Sequence, residues 1–166
     1  MSKRTITLGT WDGKPIEWIV LKEESFGTLV ISKSILFNRR FDKYRNHSGN
    51  KWDRCELREY LNSDFFEKAF TNIEKRSVVY ALILGDECPN TKDNIFLLSY
   101  SEASSLFNGD SDRKMGSIWS LRSPHKDGLE YTSHVESNGV VLNKSSRCTY
   151  TDNSYGIRPA MYIREK

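Results

Sequence analysis

The run SIWSLRSP, Ser117 to Pro124, reads as a buried strand until it reaches Arg122, and GIRPAMYI, Gly156 to Ile163, carries Arg158 inside a similar apolar run. No other feature of the chain restricts its fold as much. An unpaired guanidinium taken out of water costs on the order of several kcal/mol, so any fold that buries these strands must bring carboxylates or carbonyls to both positions. Arg58 poses the same demand beside the apolar pair Leu57 and Leu61. Glu102 and Glu56 are the candidate carboxylates, because each also reads as a helix-start residue near the same motifs. In strand alternation Arg122 shares a face with Ile118 and Ser120, while Trp119 and Leu121 point the other way.

The rest of the chain supplies elements for one domain of 166 residues, long enough for a single core. PIEWIVLK followed by TLVIS, with EESFG between them, predicts a β-hairpin whose first strand is apolar on both faces. KWDRCELREYLN has helical spacing, with Asp53 as N-cap, Glu56 at N3, a Trp52 to Leu57 staple and an end near Asn62 and Ser63. DFFEKAF inserts Phe65, Phe66 and Phe70 into the core. Thr71 with Glu74, and Ser99 with Glu102, repeat the capping-box spacing, the second opening a helix expected to end near Asn108 and Gly109. SVVYALIL is one apolar run of strand length. Beyond Gly109 short strands alternate with long polar loops, and Asn138-Gly139 predicts a two-residue hairpin turn.

Composition lends no support to several classes. The 25 basic and 22 acidic residues are scattered, giving a net charge of +3 without the basic block of a nucleic-acid binder. No apolar stretch approaches the roughly 18 residues of a membrane span, and the N-terminus lacks the apolar region of an export signal, so a cytoplasmic location is expected. Cys55, Cys88 and Cys148 form no C-x-x-C pair and read as reduced thiols. His47, His125 and His134 never fall at metal spacing, so no metal and no cofactor is expected.

IEWIVL, WDRCELREYLN, FLLSYSE, WSLRSP and GIRPA, in this order from about Gly9 to Ile163, resemble a widespread bacterial domain family of unknown function. Its recurring signature is W-x(4)-L-R-x-x-L-N, F-L-L-S-x-x-E, W-x-L-R-S and G-x-R-P-A. This sequence departs from it at Tyr60, where tryptophan is frequent, at Cys55, where serine is common, and at Ile118, before a single tryptophan where a pair is usual. That family is in turn similar to the C-type-lectin-like domains, in particular the sulfatase-modifying, formylglycine-generating branch. The resemblance implies an α+β fold of C-type-lectin-like kind: a small twisted antiparallel sheet, two or three flanking helices and long C-terminal loops. The branch's activity depends on a reactive cysteine pair near the chain end, where this sequence has Cys148 alone.

These residues lead to a functional expectation. Arg122 and Arg158, with the loop aromatics Tyr131, Tyr150 and Tyr155, are the candidate ligand-binding residues. Arg58, Glu102, Trp52 and Trp119 are read as structural. The chain is expected to be a non-catalytic module that binds a glycan, a peptide or a protein through loops 109–117, 123–131 and 143–155, as a monomer or weak oligomer. The alternative is an enzyme that fixes an anionic group with Arg122 or Arg158 and uses His125 or His134 as acid or base.

Overall fold

The computed structural model describes residues 3–44, 50–144 and 149–165. The chain opens with β1 (Thr5–Trp11), β2 (Lys14–Glu24), β3 (Gly27–Ser32) and β4 (Phe37–Arg40). A single 3-10 turn, Trp52–Arg54, precedes α1 (Glu56–Tyr60), a π-helical turn (Leu61–Phe65), α2 (Phe66–Ala69) and α3 (Asn72–Lys75). There follow β5 (Val78–Val79), β6 (Ala81–Ile83), β7 (Thr91–Asp93), α4 (Tyr100–Ser105) and α5 (Asp110–Arg113). The last third holds β8 (Trp119–Pro124), β9 (Tyr131–Val135), β10 (Val141–Leu142), β11 (Thr149–Tyr150), β12 (Ser154–Ile157) and β13 (Ala160–Ile163). The architecture is mixed α+β, mostly antiparallel strand with short helices.

Two sheets carry the fold. The first has the order β1-β2-β3-β13-β5 and the second β10-β9-β8-β12-β4, with β11 also pairing β9. β6 and β7 form a separate two-stranded ribbon. All pairings are antiparallel except β12 with β8, which meet in parallel at Gly156 and Trp119. The first hairpin turns on Asp12 and Gly13, both at positive φ, the geometry that matches the twist of the strands it joins.

Several expected elements are divided by the tertiary structure. SVVYALIL splits after Val79: β5 joins the first sheet and β6 leaves it to pair with β7. GIRPAMYI splits at Arg158 and Pro159, where proline cannot donate to a ladder, and the chain crosses from the second sheet to the first. Ile95 to Leu98 is buried as expected but forms no strand of a sheet: it meets β13 through the bridge Phe96 to Ala160 and β8 through Arg122 N, which donates to Leu98 O at 2.9 Å. β2 runs on to Glu24, so the loop to β3 shrinks to Ser25 and Phe26.

The helix starts also differ in part. Cys55, not Asp53, is the N-cap of α1, its Sγ accepting from Arg58 N at 3.4 Å. Asp42 Oδ2 takes the Glu56 N–H at 3.0 Å, and the Glu56 carboxylate turns to Arg40 at 3.0 Å. The helix does not end at Asn62, because that side chain points outward to neighbouring backbone. It donates to Ile95 O at 2.8 Å and accepts from Asn94 N and Ile95 N at 2.8 and 3.1 Å. Leu57, Leu61 and Phe65 thereby reach the core together, while Phe66 stays half-buried. Both later capping boxes, Thr71 with Glu74 and Ser99 with Glu102, form as read, although α4 ends at Ser105. The turn at Asn138-Gly139 is wider than two residues: Gly139 alone has positive φ, and Gly139 N bonds Glu136 O at 2.8 Å.

Candidate functional site

The three arginines all end on oxygen, each in a different way. Arg58 Nε donates to Asp93 Oδ1 at 2.7 Å, and its Nη groups reach Asp53 O and Lys92 O. Asp93, fully buried, also accepts from the Trp52 indole at 2.9 Å and from Thr91 Oγ1 at 2.7 Å. Arg58, Trp52 and β7 are thus bound through one carboxylate. Asp93, which the sequence reading passed over, is that carboxylate; it lies 35 residues from Arg58, beyond the reach of local spacing.

Arg158 stands where the chain changes sheets and is 0% exposed. Nε and Nη2 both donate to Ser32 O, at 3.0 and 2.9 Å, and its guanidinium carbon lies 4.7 Å from the Trp119 ring centroid. Among the described residues no carboxylate meets it and Nη1 has no hydrogen-bond partner. Burial lowers its pKa to about 10. It joins β3 of one sheet to β8 of the other and has no surface to offer a ligand.

Arg122 differs, because it forms part of a cavity wall. β8 carries it past α4, where Nη1 donates to Glu102 Oε2 at 2.5 Å and to Leu97 O at 2.8 Å. Nη2 reaches Glu102 Oε1 at 3.3 Å and Leu84 O at 3.4 Å. Glu102 Oε2 accepts from Ser99 N at 2.8 Å as well, so one carboxylate caps α4 and pairs the arginine. The same pair lines an open cleft of about 520 Å³. The tip of the β2–β3 hairpin contributes Glu24 and Phe26, the end of β6 and the following loop contribute Leu82, Leu84 and Asp86, and β13 contributes Tyr162. Phe26 and Tyr162 rings stand 4.8 Å apart. Burial, and then the charges of Glu102 and Glu24, push the Tyr162 phenol pKa up.

The rim of this cleft is apolar and exposed. Tyr80, Leu82 and Leu84 are 63%, 58% and 65% exposed, and Phe26 is 50% exposed, while Ala81 and Ile83 between them are buried. Alternation along β6 therefore puts one face into the core and a stripe of large apolar side chains outside.

The tyrosines do not join Arg122. Tyr131 and Tyr150 face each other across the β9–β11 pair with rings 4.8 Å apart. Their mutual hydrogen bond, followed by one that Tyr131 donates to the Glu130 carboxylate, raises the Tyr131 pKa. Tyr155 lies on β12, opposite Arg39 of β4. Of the five expected ligand residues, only Tyr131 and Tyr150 thus come together. Of the histidines, His134 Nε2 lies 3.1 Å from Glu136 Oε1 and His125 Nδ1 lies 3.9 Å from Asp127 Oδ2. Burial lowers the His125 pKa, partly opposed by Asp127 and assisted by His134. His47 and Cys148 lie outside the described residues; Cys55 and Cys88 are free thiols. Among the described residues no cluster of His, Cys, Asp and Glu is placed to hold a metal, and no helix is long and apolar enough to cross a membrane.

Fold and cleft together define a small mixed α+β domain with a ligand-sized cavity beside an exposed apolar stripe. The chain belongs to the family described as a domain of unknown function (DUF6273), whose model matches residues 26–165. Comparison with curated proteins and with solved structures finds no match.

Proposed function

We propose that the chain is a non-catalytic binding module, of the C-type-lectin-like kind its motifs resemble, that holds a glycan, peptide or protein ligand in the cleft beside Arg122 and Glu102. The observation that carries this reading is the junction of a cavity of about 520 Å³ with the exposed side chains of Phe26, Leu82 and Leu84. Cavities of roughly 300–1,000 Å³ suit ligands, and clustered exposed apolar side chains mark contact surfaces. The Arg122–Glu102 pair gives the wall a rigid polar element, because it is bonded to two carbonyls and a helix cap at once. The face thus shifts from the C-terminal loops to the hairpin tip and β6.

An enzyme reading requires an acid or base that reaches the substrate. His134 is 0% exposed and His125 4% exposed, which favours binding over turnover. A thermal-shift screen of glycans, peptides and metabolites against the wild type and a Leu82→Ser, Leu84→Ser variant tests the proposal. A ligand that raises the melting temperature of the wild type and not of the variant supports it. Binding untouched by the double substitution, or turnover of any hit, overturns it.

A further inference from the structure

We propose that the cleft receives a lysine or arginine side chain from an extended segment of a partner polypeptide, whose flanking apolar residues lie on Leu82, Leu84 and Phe26. This rests on the reading of the cleft as a binding site.

The argument begins with what Arg122 still has to give. Its two Nη groups carry four hydrogens, and four protein oxygens lie within hydrogen-bond reach of them: Leu97 O, Leu84 O and the two oxygens of Glu102. Its Nε has no partner but is sealed from solvent. An anionic ligand would therefore find the cation of the cleft already occupied. Acceptors, in contrast, are plentiful. The charged groups of the lining are three carboxylates, Glu24, Asp86 and Glu102, against the single Arg122. Glu24 is met from outside the lining by Lys22 at 2.5 Å, a pair of an exposed lysine and a half-buried carboxylate whose exposed partner an incoming cation can replace. Glu102 keeps 29% of its side chain exposed despite its bond to Arg122. The charges of Glu102 and Glu24 both reach the Tyr162 phenol, with Arg122 opposing them.

A long basic side chain fits this arrangement by its two parts. Its methylene stem lies along apolar surface and its charged head turns to the carboxylates. The aromatic rings of Phe26 and Tyr162, 4.8 Å apart, supply apolar and π surface beside those carboxylates. The partner is a polypeptide and not a free amine because the apolar stripe continues beyond the cavity. Tyr80, Leu82 and Leu84 repeat at the two-residue period of a strand, about 6.6 Å per step, which is the spacing of alternate side chains on an extended peptide. A small amine would leave that stripe uncovered. The ribbon strand β6 has one hydrogen-bonded neighbour, β7, among the described residues.

The test uses the full chain and three labelled, end-blocked peptides that differ at one central position in a common leucine-rich extended sequence: lysine, norleucine or glutamate. Affinity is read by fluorescence anisotropy against the wild type, Glu24→Gln with Asp86→Asn, and Leu82→Ser with Leu84→Ser. The expected result is that the lysine peptide binds at least about tenfold more tightly than the norleucine peptide. That preference is expected to disappear in the carboxylate variant, and the glutamate peptide to bind least. Equal binding of lysine and norleucine peptides, lost in the leucine variant, would overturn the basic-residue inference and leave the binding-module reading standing. Failure of every peptide to bind overturns this inference alone, because a glycan in the same cleft would leave the binding-module reading standing; binding that survives the leucine substitutions overturns both.

Discussion

The Arg158 guanidinium is held between the Trp119 ring, at 4.7 Å, and the carbonyl of Ser32, which accepts two of its hydrogens. Shape is thus as necessary as charge at this position, because a planar fork can stack on a ring and bond one oxygen twice while an ammonium cannot. Arg158→Lys keeps a buried charge and loses that fit, and is expected to cost about 3–5 kcal/mol in urea unfolding. Arg158→Met leaves Ser32 O unpaired but removes the charge, and is expected to cost less, about 1–3 kcal/mol. A lysine variant as stable as the methionine variant would refute this account.

The N-cap of α1 offers a gentler test. Cys55 Sγ accepts the Arg58 N–H at 3.4 Å, and sulfur is a weak acceptor. Burial keeps the thiol protonated, its pKa raised well above the ordinary thiol range, so the cap has no thiolate charge to strengthen it. Cys55→Ser, with a stronger acceptor at the same atom, is expected to leave stability unchanged or raise it by about 0.5 kcal/mol, and Cys55→Ala to lower it by about 1 kcal/mol. Thermal unfolding of the two variants side by side decides it, and a more stable alanine variant would show that the cap is inert.

Local chemistry was legible in the sequence wherever partners lie within a few residues. The capping boxes at Thr71 and Ser99 formed because each needs only its own turn of chain. The demand that Arg122 find a carboxylate led to Glu102 because that residue was already marked as a helix start. Asp93 was missed for the opposite reason: nothing near it in the chain announces that it accepts from both Arg58 and Trp52. The division of SVVYALIL and GIRPAMYI between sheets was also invisible, since an apolar run does not say with which neighbours it pairs. Asp12-Gly13 was a signal in plain view, a two-residue turn between alternating segments, and it forms the first hairpin. The cleft escaped notice because its walls come from five separate segments and its rim is made of residues that read as core.

The turn that ends β9 is fixed by packing as well as by backbone freedom. Gly139 has φ 97°, and a Cβ there would stand 1.8 Å from Asp110 O at the start of α5. Gly139 O also accepts from Arg113 Nε at 2.8 Å, so the turn and α5 hold each other. Gly139→Ala is expected to destabilise by about 2–4 kcal/mol, through strain at positive φ and the displacement of α5. Urea unfolding measures the loss, and amide exchange is expected to show Lys114 N, which bonds Asp110 O at 3.0 Å, opening with it. A substitution that left both unchanged would mean that the turn opens away from α5 without strain.

The ion pair of the cleft can be separated from its role in ligand binding. Arg122 is 5% exposed, so removing its carboxylate leaves a largely buried cation short of a partner. Glu102→Gln keeps one oxygen to accept from Ser99 N and Arg122 Nη1, deletes the charge and replaces the oxygen that meets Arg122 Nη2 with an amide donor. It is expected to cost about 2–3 kcal/mol, less than for a fully buried pair because Glu102 is partly solvated. Adding Arg122→Met is expected to recover part of that loss, giving a coupling of about 1–2 kcal/mol in a double-mutant cycle. Additive losses would mean that the two charges act independently despite their 2.5 Å contact.

The pH dependence of stability has a defined sign at His125. Burial lowers its pKa from the ordinary value of 6.5, and the nearby positive form of His134 adds to the effect while Asp127 opposes it. Nδ1 accepts from Asp127 N at 3.1 Å, so the neutral ring carries its hydrogen on the buried Nε2, which has no partner, and a second proton must go to Nδ1 and break the Asp127 bond. As pH falls through 6.5 the unfolded chain takes up a proton that the folded chain refuses, so stability is retained above that value and lost below it. The carboxylates held low by hydrogen bonds, Glu74 and Glu165 among them, lose stability at more acidic pH and therefore in a separate window. Replacing His125 with asparagine, which can still accept from Asp127 N, is expected to flatten the decline in melting temperature between about pH 7.5 and about pH 5. A decline equal to that of the wild type would assign the acid sensitivity to other groups.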